Sequence, residues 1–362
     1  MMPIMTASPA FQAAVTTYRG PAVENRHQAH VAVVDGRGRL LYAYGDPRRL
    51  TLPRSAVKPA QALAVLETGA LERFGFDDAD LALMCASHSS EERHIARARA
   101  MLAKARVTEA QMRCGGHPAI SEAVQRDWIK RDFVPTPVCS NCSGKHAGML
   151  AAALAIGQQT KDYELADHPL QQRVKRAMAE LVELDEGEIA WGIDGCNLPT
   201  PSFALEGLAR LFAKLAAAAD RTVSDSEATA PREVALARIY RAMTAHPELV
   251  AGEGRFCTAL MSAFDGNVVG KVGAEGSYGL GVRAGAHGVA DVDGPIGVAA
   301  KVEDGNGAIL TAVVTELLHQ LGIGTPAQRA QLDRFRAPSI QNTVGLEVGR
   351  IEVNLALARQ MA

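Results

Sequence analysis

From residue 56 to about 264 the apolar positions recur every three or four residues. The period is clearest in EERHIARARAMLAKA (91–105), HPLQQRVKRAMAELVEL (168–184), SFALEGLARLFAKLAAAA (202–219) and REVALARIYRAM (232–243), each predicting an amphipathic helix with one face on a core. Between the last two, DRTVSDSEATAP (220–231) is polar and predicts an exposed loop. The ends of the chain read differently. AHVAVVDGRGRLLYAY (29–44) places two β-rich runs around DGRG, a hairpin signal. Strand patterns return from 267 in NVVGKVGAEGS, YGLGVRAG, HGVADVD and IGVAAKVED, and a long helix starts near Gly307.

No repeat and no low-complexity tract interrupts this order. Strands at both ends with helices between predict an α+β fold, with an antiparallel sheet built from N- and C-terminal strands around a mainly helical middle. We expect a single domain over 20–362, its sheet lobe at about 20–55 plus 265–362 and its helical lobe at about 56–264. Residues 1–19 read as an N-terminal extension.

Composition narrows the function classes. Among 362 residues, 38 Lys and Arg nearly balance 40 Asp and Glu, so no strong field steers the protein toward nucleic acid or anionic lipid. The first twenty residues lack a basic leader, and no apolar run approaches the roughly 20 residues of a membrane span. A cytoplasmic location is expected. Six cysteines in so long a chain, at 85, 114, 139, 142, 196 and 257, do not suggest a disulfide framework.

The first candidate chemistry is PRSAVKP, with Ser55 three residues before Lys58 and Pro59 next. A proline is tolerated where helix N–H groups have no acceptor, so it fixes a helix start near Ser55, with Pro59 at the fourth position. Two readings stand: a capping serine with a solvated lysine, or a nucleophile with its base. A lysine near a helix N-terminus and partly buried is pushed toward the neutral amine that takes a serine proton. Two further stretches favour the chemical reading. CASHSSEE sets Ser87 and Ser89 around His88, and KVGAEGSYG carries Lys271-Val272-Gly273 on a strand pattern, with Gly273 suited to close approach of a substrate. A Ser-x-x-Lys helix, a serine turn and a Lys-x-Gly strand, in that order, resemble the layout of serine β-lactamases.

VCSNCSGKHAGML holds Cys139, Cys142, Lys145 and His146, and WGIDGCNLPTPSF holds Asp194 and Cys196. Neither a thioredoxin-like context nor a phosphate loop surrounds them. Buried structural thiols and a zinc site both remain open, because the spacing lacks a second ligand pair.

Together PRSAVKP, CASHSSEERH, CGGHPAISE, CSNCSGKHAGML, GIDGCNLPTPSFAL and KVGAEGSYG resemble the asparaginase II family, the Rhizobium etli-type (class 3) L-asparaginases, from about residue 20 to the C-terminus. The resemblance implies a serine β-lactamase- and glutaminase-like fold. It also implies hydrolysis of L-asparagine to L-aspartate and ammonia in asparagine catabolism, and a homodimer. It implies two Ser–Lys tandems, Ser55 with Lys58 and Ser87 with Lys271; Ser55, with a lysine on its own turn, is the expected nucleophile. A zinc ion is implied at Cys142, Lys145 and Cys196, tuning substrate binding rather than activating water. Arg54, His88, His117 and Asp194 are further candidates for substrate contact: Arg54 for its carboxylate, Asp194 for its α-amino group or for orienting Lys145. Asn197 and Glu275 are polar neighbours without a specific argument, and the remaining histidines read as structural or surface. A glutaminase, a β-lactam-binding serine acylase, and a non-catalytic zinc- or amino-acid-binding protein are the rival functions.

Overall fold

The computed structural model describes residues 13–224 and 230–360. The strands are β1 (Val15–Arg19), β2 (Ala22–His27), β3 (Ala29–Asp35), β4 (Leu40–Tyr44), β5 (Leu50–Thr51), β6 (Ala190–Ile193), β7 (Pro199–Ala204), β8 (Val268–Gly273), β9 (Ser277–Val282), β10 (Ile296–Val302), β11 (Ile340–Gln341), β12 (Glu347–Val353) and β13 (Ala358–Arg359). β3 and β4 form the expected hairpin. Asp35 Oδ1 accepts the N–H groups of Arg37 and Arg39 at 2.9 Å, a side-chain turn that an aspartate is suited to make, and Gly38 takes the left-handed backbone the turn needs (φ 81°).

The main sheet is antiparallel in the order β13-β4-β3-β10-β9-β8. It joins N- and C-terminal strands as the patterning predicted, with the mainly helical middle between them in sequence. Every residue of β10 is buried, which fits a central strand covered on both faces. The helix Leu205–Ser224 lies across β10, β3 and β9. A Cβ on Gly297 would sit 1.9 Å from the Ala209 carbonyl, and one on Gly279 would strike the Phe212 ring. Bare backbone is what lets this helix approach so closely. Although it comes from the helical middle of the chain, it therefore serves the sheet.

Several elements depart from the patterning. HGVADVD is a loop, in which His287 bonds the Gly294 carbonyl at 2.8 Å and accepts from the Val289 N–H. The helix expected from 202 begins at Leu205, because Pro199–Ala204 pairs as β7 between β5 and β6. It runs to Ser224, taking in the first residues of the 220–231 stretch read as a loop; 225–229 lie outside the described residues. Within the segment read as an N-terminal extension, 1–12 lie outside the described residues, and β1 pairs with β2 and β12 in a second sheet, ordered β11-β12-β1-β2. Among the described residues no helix is long and apolar enough to cross a membrane.

Two helices of the middle region carry site residues. Lys58–Leu66 follows a 3-10 turn, Arg54–Val57, that packs on β8, and Ser143–Ala155 starts on the end of Asp78–Met84. Gly144 makes the second contact possible, since a Cβ there would lie 2.3 Å from the Leu83 carbonyl.

Candidate active site

The chain enters the site through a 3-10 turn, Arg54–Val57, and only then becomes the α-helix Lys58–Leu66. Lys58 is thus the first helical residue and Pro59 the second, where its missing N–H costs nothing. Ser55 is not the N-cap that the spacing predicted. It stands one turn earlier, half-buried, and its hydroxyl bonds no described residue. β8 packs against this turn: a Cβ on Gly273 would lie 2.0 Å from the Pro53 carbonyl. The close approach at Gly273 is therefore made by the protein's own backbone, not by substrate.

Lys58 is fully buried. Its Nζ donates to the Ala86 carbonyl, lies 3.2 Å from Ser87 Oγ and 3.0 Å from Cys142 Sγ. Lys271, also fully buried on β8, places Nζ 2.8 Å from the same Ser87 Oγ and 2.6 Å from the Val272 carbonyl. Both lysines meet at Ser87. The expected Ser87–Lys271 contact is present, and the expected Ser55–Lys58 contact is not formed, because the first helical side chain is drawn to the open end of Asp78–Met84 instead. Burial, and then the nearby Lys58 charge, bring the Lys271 pKa down to about 7, so that much of it is a neutral amine at neutral pH. The Ser87 backbone is pinned on both sides, its N–H to Val250 and its carbonyl to Arg255 Nη1, each at 2.9 Å.

Beside this cluster opens a cavity of about 450 Å³, lined by Arg54, Ser55, His117, Asn141, Asp194 and Cys196 among others. Arg54 and Asp194 form an ion pair on its wall. Burial alone would raise the Asp194 pKa, but Lys145 and Arg54 hold it below the usual carboxylate range. The opposed charges suit the carboxylate and ammonium of an amino acid. The backbone N–H groups of Ser55 and Ala274, two further lining residues, meet no acceptor among the described residues; they are available to a polarised carbonyl oxygen.

The two candidate histidines play other parts. His117 lines the cavity, but Nδ1 bonds the Pro118 carbonyl (2.8 Å) and Nε2 accepts the Asn141 N–H (3.0 Å), so it shapes the wall and has no ring nitrogen free for substrate. His88 lies outside the cavity and is fully buried. It bonds Ser143 Oγ at 2.8 Å, accepts the Ser90 N–H and stacks on His94, and burial pushes its pKa well down. Asn197 donates its N–H to the Asp194 carbonyl and, like Glu275, takes a left-handed backbone conformation; both are turn residues.

The Cys142, Lys145 and Cys196 side chains converge. Lys145 Nζ is 3.1 Å from Cys196 Sγ, and Asp194 Oδ2 is 3.3 Å from the same sulfur. A hydrogen bond from Cys142 outweighs burial at Cys196 and, with Lys145, brings its pKa to about 6. The same bond, with burial, pushes Cys142 up to about 12. Burial opposes the Lys145 charge, yet the Cys196 and Cys142 sulfurs hold its pKa above the ordinary value. Among the described residues no group of three His, Cys, Asp or Glu gathers as a metal site; the donors here are two sulfurs and an amine. That set, with the Cys196 thiol shifted toward its thiolate, fits zinc. Cys139 is buried without joining it.

Arg255, Asn141 and Ala274 are site residues that the motifs did not single out. Asn141 sits inside one of the quoted blocks; Arg255, in GEGRFC, carries no signal in the sequence.

A family model for L-asparaginase II matches residues 15–353. The chain belongs to the L-asparaginase II family. It is accordingly an amidohydrolase of the L-asparaginase type. None of the curated proteins matches it. Among solved structures it is similar to a probable glutaminase from Bacillus subtilis complexed with 6-diazo-5-oxo-L-norleucine, at 13% identity over 82% of this chain and 85% of that one, with a TM-score of 0.36. It is also similar to the Bacillus subtilis glutaminase YbgJ in covalent complex with 5-oxo-L-norleucine, at 12% identity over 85% and 87% of the two chains, with a TM-score of 0.34.

Proposed function

We propose that the enzyme hydrolyses L-asparagine to L-aspartate and ammonia by acyl transfer to serine, as a cytoplasmic homodimer. The observation that carries this reading is the junction of a cavity holding Ser55, Arg54 and Asp194 with a buried Lys58–Ser87–Lys271 chain. Arg54 takes the substrate α-carboxylate and Asp194 its α-ammonium. Ser55 Oγ attacks the side-chain amide carbon, and the N–H groups of Ser55 and Ala274 hold the oxygen that becomes negative. Substrate binding has to bring Lys58 Nζ within reach of Ser55 Oγ, a contact not formed without it; Lys58 then takes the serine proton as it hands one on through Ser87 to Lys271, which returns a proton to the leaving nitrogen. Ammonia departs; water then cleaves the ester under the same groups and frees Ser55 and aspartate. Ser55 is preferred as nucleophile because it lines the cavity with an unbonded hydroxyl, whereas Ser87 does not line it.

Cys142, Lys145 and Cys196 would hold zinc. When bound it supplies a fixed positive charge beside the cavity. Lys145 and Cys142 must give up their protons to ligate, while the Cys196 thiol is already shifted toward its thiolate.

A second reading has Ser87 as nucleophile, favoured by its direct contact with Lys271. Ammonia release from L-asparagine and L-glutamine by Ser55→Ala and Ser87→Ala, with mass-spectrometric mapping of the serine labelled by a diazoketone analogue of asparagine, separates the two. Label on Ser55 and asparagine-selective activity lost in both variants supports the proposal. Label on Ser87 reverses the roles. No ammonia from the folded, zinc-loaded enzyme overturns both.

A further inference from the structure

A second cavity, of about 410 Å³, lies behind β8 and shares no lining residue with the first. Lys271 and Val272 are successive strand residues, so their side chains leave opposite faces. Lys271 reaches Ser87, and Val272 lines this second cavity together with its cross-strand partner Tyr278. Its apolar wall continues through Phe256, whose ring meets Tyr278 at 5.4 Å and Phe335 at 5.0 Å, both edge-on.

The charges around this apolar space share one sign. Arg255 and Arg334 line it, and no carboxylate does. Neither guanidinium has an ion-pair partner among the described residues: Arg255 spends Nη1 on the Ser87 carbonyl (2.9 Å) and Ser89 Oγ (3.5 Å), and Arg334 lies over the Phe335 ring at 4.7 Å. A mostly buried guanidinium without a paired carboxylate is costly; Glu91 acts on Arg255 without pairing with it, and desolvation still lowers the Arg255 pKa. The helix Phe256–Ala263 adds to the field. It begins at the cavity with no side-chain cap, and the N–H groups of Phe256, Cys257 and Thr258 meet no acceptor among the described residues. An anion would complete the unpaired guanidinium and N–H groups here, and the aromatic wall asks that it carry an apolar body.

We propose that this cavity binds a small apolar monocarboxylate, with its carboxylate on Arg255 and Arg334 and its hydrocarbon body against Phe256 and Phe335. The occupant touches the reaction through Arg255, which holds the Ser87 carbonyl, and through Val272, whose own carbonyl holds Lys271. This coupling rests on the role given above to Ser87 and Lys271; the binding itself does not.

The test is calorimetric titration of the intact enzyme with 3-phenylpropionate. One site per chain is expected, undisturbed by L-aspartate and present in Ser55→Ala. Arg334→Gln, an exposed position outside the catalytic cavity, weakens it by ~10-fold or more, as does Arg255→Gln, and uncharged 3-phenylpropanamide binds the native enzyme weaker by a similar factor. Asparagine turnover at saturating 3-phenylpropionate changes about 3-fold or more in kcat/KM, and Arg334→Gln shifts the dose needed by the factor seen in binding. The proposal falls if folded enzyme binds nothing at millimolar ligand, or if the amide binds as well as the acid. It falls too if L-aspartate displaces the ligand or inorganic phosphate competes equally. Binding without any change in turnover removes the coupling and leaves the site.

Discussion

A lysine in water has a pKa near 10.4, so at pH 7 only about 0.04% of it is neutral. Burial on β8 and the Lys58 charge bring Lys271 to about 7, which makes about half of it a free amine at that pH, a gain of roughly a thousandfold in base. The rate should follow that titration. With Lys271 as proton acceptor, kcat/KM for asparagine rises with pH along a single-proton limb centred near 7 and levels off about a unit and a half above. Lys271→Met should lose this limb together with ~10²–10⁴ of the rate, the usual weight of a general base. The same shift has a sign in stability. The folded state binds the Lys271 proton less tightly than the unfolded chain, so folding releases a proton and stability rises with pH between about 7 and the unfolded value of about 10.5. Below 7 the penalty is complete, and it amounts to several kcal/mol. Lys271→Met should therefore be more resistant to urea than the native enzyme at pH 7, with the advantage fading as pH approaches 10.5. Stopped-flow or coupled ammonia assays from pH 5.5 to 9.5, with urea melts across the same range, measure both. A limb centred above 9, or a methionine variant less stable than native at pH 7, would refute the argument that burial sets this amine.

Gly273→Ala should lose more stability than a typical surface change, by ~3 kcal/mol or more in urea melts, because its Cβ meets the rigid Pro53 carbonyl at 2.0 Å; any folded fraction should have a displaced Ser55 and little activity. Arg54→Lys keeps the charge beside Asp194 and loses the planar fork, so KM for asparagine should rise ~10-fold or more while kcat changes less; an unchanged KM would remove Arg54 from carboxylate binding. Cys196→Ser should lower zinc affinity by ~10-fold or more, read by metal content after dialysis against a graded chelator; equal retention would mean the zinc is held elsewhere.

The hairpin at 29–44 and the strand at Val268–Gly273 were legible because each carries its own local signal, a turn aspartate in one and a run of Val and Gly in the other. β1, β2 and β12 were not. Ala22–His27 is exposed on five of its six residues, so no apolar alternation marks it; it is the edge strand on β1, and β1 in turn is held by β12, a segment more than 300 residues away in sequence. The site divides along the same line. The family resemblance, more than spacing, supplied the serines, lysines and metal ligands that the proposed mechanism uses, and it paired Lys58 with Ser55 where the structure turns it to Ser87. Spacing of three presumes one continuous helix, in which Ser55 and Lys58 would share a face. The chain instead makes a 3-10 turn and changes pitch at Lys58, and the contest for the lysine is settled by what lies opposite: the Ala86 carbonyl, Ser87 Oγ and Cys142 Sγ, all contributed by other segments. Ser87 thereby gains two amines, of which Lys271 is pushed toward neutrality first by burial and then by the Lys58 charge. A tandem read as two separate pairs is, in three dimensions, one hydrogen-bonded chain from Lys58 through Ser87 to Lys271. In the proposed mechanism that chain is what lets a buried serine, outside the cavity, bear on chemistry at Ser55.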